Sequence, residues 1–266
     1  MKRIVPGLFL AGFWLLLLSK GSILLFNIVV IFVVLIGCDE YVRMAAAEVT
    51  NRRERWLIDS ILAMPVVAVC VFPQISLLPL FTLISFFLLS GYFITKYQYI
   101  EDSYLRFCRL VFGLAYIGLL GAHVILLRHL PEGNSWLIIV TAITAGSDSG
   151  AYFIGRAIGK HKLSPHISPN KTIEGALGGI CAGLLGAVFF ALLLLPAIHW
   201  YFLIFSTILV TCVGITGDLT ESIIKRGTGT KDSGTILAGH GGILDRVDSL
   251  LFAAPVLYYL LVFNGV

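Results

Sequence analysis

Apolar residues in this chain gather into long runs rather than alternating with polar ones. The runs fall at about residues 4 to 18, 22 to 37, 57 to 73, 75 to 95, 107 to 127, 136 to 156, 173 to 197, 200 to 217 and 249 to 263. A helix needs roughly 20 such residues to cross a bilayer. In lipid every backbone N–H and C=O must be paired within its own segment, so each run predicts a helix. The expectation is an all-α, polytopic integral membrane protein with about nine transmembrane helices. It divides into residues 1–105, plain apolar spans, and residues 106–266, where the spans carry acids, threonines and glycines and where cytoplasmic loops at 156–172 and 218–248 hold the chemistry.

Composition agrees: 58% of the residues are hydrophobic and only 13% charged, too apolar for a water-soluble chain of this length. With the amino terminus inside, seventeen of the nineteen Lys and Arg residues fall on the cytoplasmic side, as the positive-inside rule requires. The net charge of +4 is too balanced for a nucleic-acid groove, so no nucleic-acid partner is expected. Five cysteines scattered through apolar runs, with no CxxC pair, exclude a disulfide framework and a zinc site. The basic start and short apolar first run read as a retained anchor, because no small-residue cleavage pattern follows.

Four places break the apolar pattern. Asp148 lies deep in a span, and helical spacing puts Thr141, Thr144, Asp148 and Tyr152 on one face, the arrangement of a polar stripe facing a bundle or a wet cavity. The run 200 to 217 leads into Gly217, Asp218, Glu221, Ser222, Lys225 and Arg226. Continuing the helix sets Asp218 and Glu221 one turn apart, within reach of one cation; Glu221 and Lys225 also have the spacing of an ordinary surface pair. Next come Gly239, His240, Gly241 and Gly242, then Asp245, Arg246 and Asp248 at a helix start. The fourth place is the basic, turn-rich loop from Gly155 to Gly175, whose helix start beside Lys171 suits an anion. It lacks the Walker order. Gly175, Gly179 and Gly183 then repeat at the spacing that lets two helices pack closely.

Acids beside lysines and arginines at one membrane face suit a divalent cation held on a polyphosphate, with cations neutralising the remaining oxygens. A proton or ion pathway would spread its acids through the membrane depth, and only Asp148 does so.

The stretch Ser222 to Asp248, SIIKRGTGTKDSGTILAGHGGILDRVD, resembles the signature of phosphatidate cytidylyltransferases, the CDP-diacylglycerol synthases. DSGAY from Asp148 to Tyr152, with Gly155, and SPNKTIEG from Ser168 to Gly175 resemble that family too. The resemblance implies a multispanning, homodimeric enzyme; the compact length and the lack of a transit peptide point to a bacterial plasma membrane, and the charge count to an active site facing the cytoplasm. CTP and phosphatidate would be its substrates, Mg²⁺ its cofactor, and a monovalent cation such as K⁺ an auxiliary. It implies that Asp218 and Asp245 hold the metal, with Asp248 and Asp148 as further acids. Lys225, Arg226, Lys231 and Arg246 would take phosphates, and Ser168, Lys171, Glu174, Ser222, Glu221, Asp232 and His240 would line the substrate site. A CTP-dependent polyprenol or lipid kinase, or a lipid or ion transporter, are the alternative readings.

Overall fold

A computed structural model describes residues 4–236 and 241–265. The chain is helical almost throughout: α1 (Ile4–Lys20), α2 (Ile23–Ala45), α3 (Arg52–Val71), α4 (Leu78–Lys96), α5 (Ser103–Gly113), α6 (Leu120–His129), α7 (Gly133–Ile158), α8 (Ile173–Leu194), α9 (Trp200–Gly227) and α10 (Leu244–Phe263). A π turn, Leu114–Leu119, joins α5 to α6, so the two form one rod. Among the described residues, nine rods therefore stand where the nine apolar runs lie.

Seven of these rods are long and apolar enough to cross a membrane. The shortfall from nine has two physical causes. The helix α1 has only 17 residues, and α3 opens on Arg52, Arg53, Glu54 and Arg55 and carries Asp59, so its apolar stretch is diluted by charge.

The ends also move. The helix α9 runs on through Asp218, Glu221 and Lys225 to Gly227, and α10 begins at Leu244, which shortens the expected loop 218–248 from both sides. The 28 residues of α9 rise about 42 Å at 1.5 Å each, more than the roughly 30 Å of hydrocarbon in a bilayer. Its last turns therefore emerge from the apolar layer, which puts its acids at a membrane surface. Within the expected loop 156–172, α7 continues to Ile158, and the rest folds as an antiparallel hairpin of β1 (Lys162–Ser164) and β2 (Ser168–Thr172), pairing Lys162 with Thr172 and Ser164 with Ser168.

The core lies among α2, α3, the α5–α6 rod and α10, around Phe26, Tyr41, Leu62, Tyr116, Ile117 and Leu257, all buried. Tyr41 Oη donates to the Arg109 carbonyl at 2.7 Å, which fixes α2 against α5. A second unit is the pair α7 and α8. Gly175, Gly179 and Gly183 are buried, and a Cβ on Gly179 would stand 2.9 Å from both Ser147 O and Ser147 Oγ. From the other side, a Cβ on Gly150 would stand 2.5 Å from the Ala182 Cβ. The glycine repeat thus finds its partner helix within the same chain, through backbone-to-backbone contact that any side chain would hold apart.

Candidate active site at the helix ends

Two neighbouring groups of residues form at the ends of α7, α9 and α10. The first surrounds a cavity of about 320 Å³ lined by Asp148 and Tyr152 of α7, Ser168 and Lys171 of β2, and Asp218 of α9. The hairpin exists to reach this place. Thr172 caps α8, its Oγ1 accepting from Gly175 N at 3.1 Å. The first turn of α8 supplies Glu174, whose carboxylate accepts from Lys160 N at 3.1 Å, from His161 N at 3.2 Å and from His161 Nδ1 at 2.6 Å. Glu174, expected at the substrate, is thus turned to the start of the hairpin and holds it. So anchored, β2 brings Lys171 Nζ to 2.6 Å from Asp218 Oδ2, with both side chains roughly a quarter exposed. Opposite them, Asp148 lies within electrostatic reach of Asp218, Lys171 and Arg246, and Asp248, buried, lies within that of Asp218 and Asp148.

Of the expected polar stripe on α7, the two ends separate. Thr144 is buried and returns its hydroxyl to the Val140 carbonyl at 3.1 Å, while Thr141 accepts from Trp14 Nε1 at 3.0 Å. Asp148 and Tyr152 face the cavity, and Arg156 Nη1 donates to the Tyr152 hydroxyl at 3.0 Å.

The second group is a buried ionic node. Lys225 Nζ stands 2.7 Å from Glu221 Oε2 and 2.7 Å from Asp245 Oδ1. Glu221 is 1% exposed, so the surface pairing of Glu221 with Lys225 does not describe it. Asp245 Oδ2 accepts from Gly242 N at 2.8 Å and from Ser233 N and Oγ at 3.0 Å each. Asp245, in the first turn of α10, thus reaches back to the N–H just before the helix start. This reach depends on Gly241, whose φ of 79° turns the chain there in a conformation that only glycine adopts without strain.

One residue of this node lies far outside the signature. Glu40, in the C-terminal part of α2 and 2% exposed, accepts from Ile243 N at 2.9 Å, Leu244 N at 3.0 Å and Ser233 Oγ at 3.1 Å. A buried carboxylate on the first N–H groups of a helix satisfies orphan donors and complements the helix dipole together. The signal was available, since Glu40 follows Asp39 at the end of an otherwise uncharged run, but the runs before residue 100 read as plain spans. Ser233 was likewise passed over between Lys231, Asp232 and the glycines.

The remaining expected residues sit around these groups. Arg226 is exposed and its Nε lies 3.5 Å from the Ile167 carbonyl at the hairpin turn. Ser222 is half-buried; Lys231 and Asp232 are exposed on the loop. His240 lies outside the described residues. Asp218 and Asp245 are drawn to different cations, Lys171 and Lys225, rather than to each other.

The donor set fits a hard divalent cation. It consists of carboxylate oxygens, and Glu221 Oε1 is buried with no hydrogen-bond partner among the described residues. Three or more His, Cys, Asp or Glu groups converging as a complete metal cage do not occur among the described residues. Magnesium needs no such cage, because it takes one or two carboxylates and leaves its other positions to water and phosphate.

Fold and site together define a polytopic membrane protein with an acid-and-lysine cavity at the ends of its helices. The chain belongs to the cytidylyltransferase family, whose sequence profile matches residues 1–264. It is similar to a phosphatidate cytidylyltransferase of Bacillus subtilis (strain 168), 46% identical over 147 residues that make up 55% of each chain. It also resembles one of Staphylococcus saprophyticus, 39% identical over 178 residues covering 67% of this chain and 66% of that one. A third, from Staphylococcus aureus (strain COL), is 37% identical over 201 residues, 71% of this chain and 72% of the relative. The aligned part thus spans 55% and 66% of the full length of the first two relatives.

Proposed function

We propose that this chain transfers the cytidylyl group of CTP to phosphatidate, giving CDP-diacylglycerol and pyrophosphate. The observation that carries the reading is the Lys171–Asp218 pair on the wall of a polar cavity at the helix ends, in a chain whose relatives are phosphatidate cytidylyltransferases. In this reading the cavity faces the cytoplasm of a bacterial cell from its plasma membrane, and the enzyme works as a homodimer.

A phosphate oxygen of phosphatidate attacks the α-phosphorus of CTP. The new P–O bond forms as the α–β anhydride bond breaks, and its electron pair leaves on pyrophosphate. The nucleophile is already an anion, so the residues need not remove a proton; they position and neutralise. Lys171 exchanges its contact with Asp218 for a substrate phosphate. Lys225, held between Glu221 and Asp245, together with Arg226 and Lys231, receives the departing pyrophosphate. Asp218 and Asp245 would hold Mg²⁺. When bound, the cation supplies charge neutralisation on the nucleotide's phosphates. Asp148 and Asp248 would add negative charge beside it, and a K⁺ ion would act as a second, weaker counter-charge.

The test is radiolabel transfer in vesicles containing phosphatidate. Label from [α-³²P]CTP is expected in the lipid, with release of pyrophosphate that stops when Mg²⁺ is chelated. Label entering the lipid only from [γ-³²P]CTP would make the chain a kinase, and none from either would return it to transport.

A further inference from the structure

One tyrosine outside the signature lies against the ionic node. Tyr116 belongs to the π turn Leu114–Leu119 between α5 and α6. Such turns are rare within helical rods and frequently accompany functional positions, because the widened turn re-aims the side chains it carries. Tyr116 is 2% exposed. Its ring is held on three sides, by Tyr41 of α2 at 6.5 Å between centroids, Phe112 of α5 at 5.9 Å and Phe252 of α10 at 6.1 Å. Phe252 follows Asp248 by one turn, and a Cβ on Gly217 of α9 would lie 3.1 Å from the Phe252 Cβ and 2.6 Å from the Asp248 carbonyl oxygen. The ring therefore rests beside a point where α9 and α10 touch, and Glu221 comes one turn later on α9.

The polar atoms at this point are unbalanced. Tyr116 Oη is buried with no hydrogen-bond partner among the described residues. The charges that act on it most strongly are those of Glu221, Asp248 and Asp218, in that order. Of these three acids, only Glu221 has a buried carboxylate oxygen without a partner among the described residues, Oε1; its Oε2 is taken by Lys225. A donor lacking an acceptor and an acceptor lacking a donor thus lie within electrostatic reach of each other, and each alone costs free energy in the interior. A phenol proton supplied to Oε1 satisfies both and leaves the contact of Oε2 with Lys225 undisturbed.

We infer that Tyr116 is a positioning residue of this site: its hydroxyl donates to Glu221 Oε1, directly or through one water, and so fixes from behind the carboxylate that orients Lys225. The inference rests on the cytidylyltransferase reading for what Lys225 does, and not for the contact itself. It gives the α5–α6 rod, which carries none of the signature, a part in the site.

Two measurements on the full chain test it. The first reads the contact without turnover, by placing 3-fluorotyrosine at position 116 and following its ¹⁹F resonance. Glu221→Gln should move that resonance, whereas Glu101→Gln, exposed between α4 and α5, should not. A resonance that ignores Glu221 overturns the contact. The second is Tyr116→Phe, which keeps the ring in its packing and removes only the hydroxyl. Its kcat should fall on the order of tenfold, the scale of one lost hydrogen bond to a charged group, with the KM for CTP nearly constant. In a Glu221→Gln background the same change should cost far less, since the two groups act as one pair. Full turnover in Tyr116→Phe, a loss confined to KM, or losses that add in full would overturn the positioning role. If the resonance follows Glu221 while the wild type releases no pyrophosphate, the contact stands and the cytidylyltransferase reading falls. Normal wild-type turnover with an unmoved resonance does the reverse.

Discussion

Replacing Glu40 with alanine tests whether a residue with no place in the signature sets the site. The carboxylate accepts three hydrogen bonds, from Ile243 N, Leu244 N and Ser233 Oγ. Its loss strands two N–H groups at the start of α10, at about 1–3 kcal/mol for each donor left unsatisfied in the interior. Relief of one buried charge offsets part of that, so a net loss of about 2–4 kcal/mol is expected. At roughly 2–4 °C per kcal/mol for a chain of this size, the melting midpoint in detergent should drop by roughly 4–16 °C. The same loss frees Ser233, which also frames Asp245. A displacement on the order of 1 Å at Asp245 is enough to lower turnover roughly 100-fold. The signature of positioning is a fall in kcat with the KM for CTP nearly constant, and a partial return of kcat in Glu40→Gln, which keeps one acceptor oxygen. Melting within about 1 °C of wild type, together with full turnover, would refute the reasoning. Gly242→Ala offers an independent approach, because its Cβ would strike Ser233 Oγ and both Glu40 carboxylate oxygens; its effect should not add to that of Glu40→Ala.

Asp218→Asn and Asp245→Asn should each abolish pyrophosphate release while the protein still inserts. They should differ in Lys225 chemistry: only Asp245→Asn removes a carboxylate from that ammonium, so only it should make Lys225 more reactive towards amine-labelling reagents. In the seam between α7 and α8, Gly150→Ala places a Cβ 2.5 Å from the Ala182 Cβ and 2.6 Å from the Gly178 carbonyl. Such overpacking costs about 1–3 kcal/mol and should be visible as a lower melting midpoint. Gly91→Ala, with nothing within 4 Å of its Cβ, should melt as wild type does.

The spans were legible because lipid leaves an apolar run little choice but the helix, and the glycine repeat at 175, 179 and 183 correctly announced a close helix partner. Their ends were less so. Asp218, Glu221 and Lys225 interrupt the hydrophobic pattern where α9 leaves the apolar layer, yet the backbone continues, since helical hydrogen bonding does not stop where lipid does. The hairpin at residues 162–172 left no trace in the pattern because strands of three and five residues carry too little alternation to register. Lys171 and Asp218 could each be picked out as charged groups near helix ends, but their meeting depends on Glu174 and Thr172 fixing that hairpin. Glu40 stood out as an acid beside Asp39, but its role was hidden for a different reason: its partners are backbone N–H groups and one hydroxyl, which no charge pattern reveals.

The Glu40 latch also governs when the enzyme comes into being. Its partners lie 193 to 204 positions further along the chain, so during synthesis the acid enters the membrane long before anything exists to receive it. Every shorter chain carries that carboxylate without the α10 N–H groups that receive it, and the contact can form only when α2 and α10 meet. On the proposed reading, activity would mark the end of assembly: a chain halted before Leu244 lacks the N–H groups that receive Glu40 and should release no pyrophosphate.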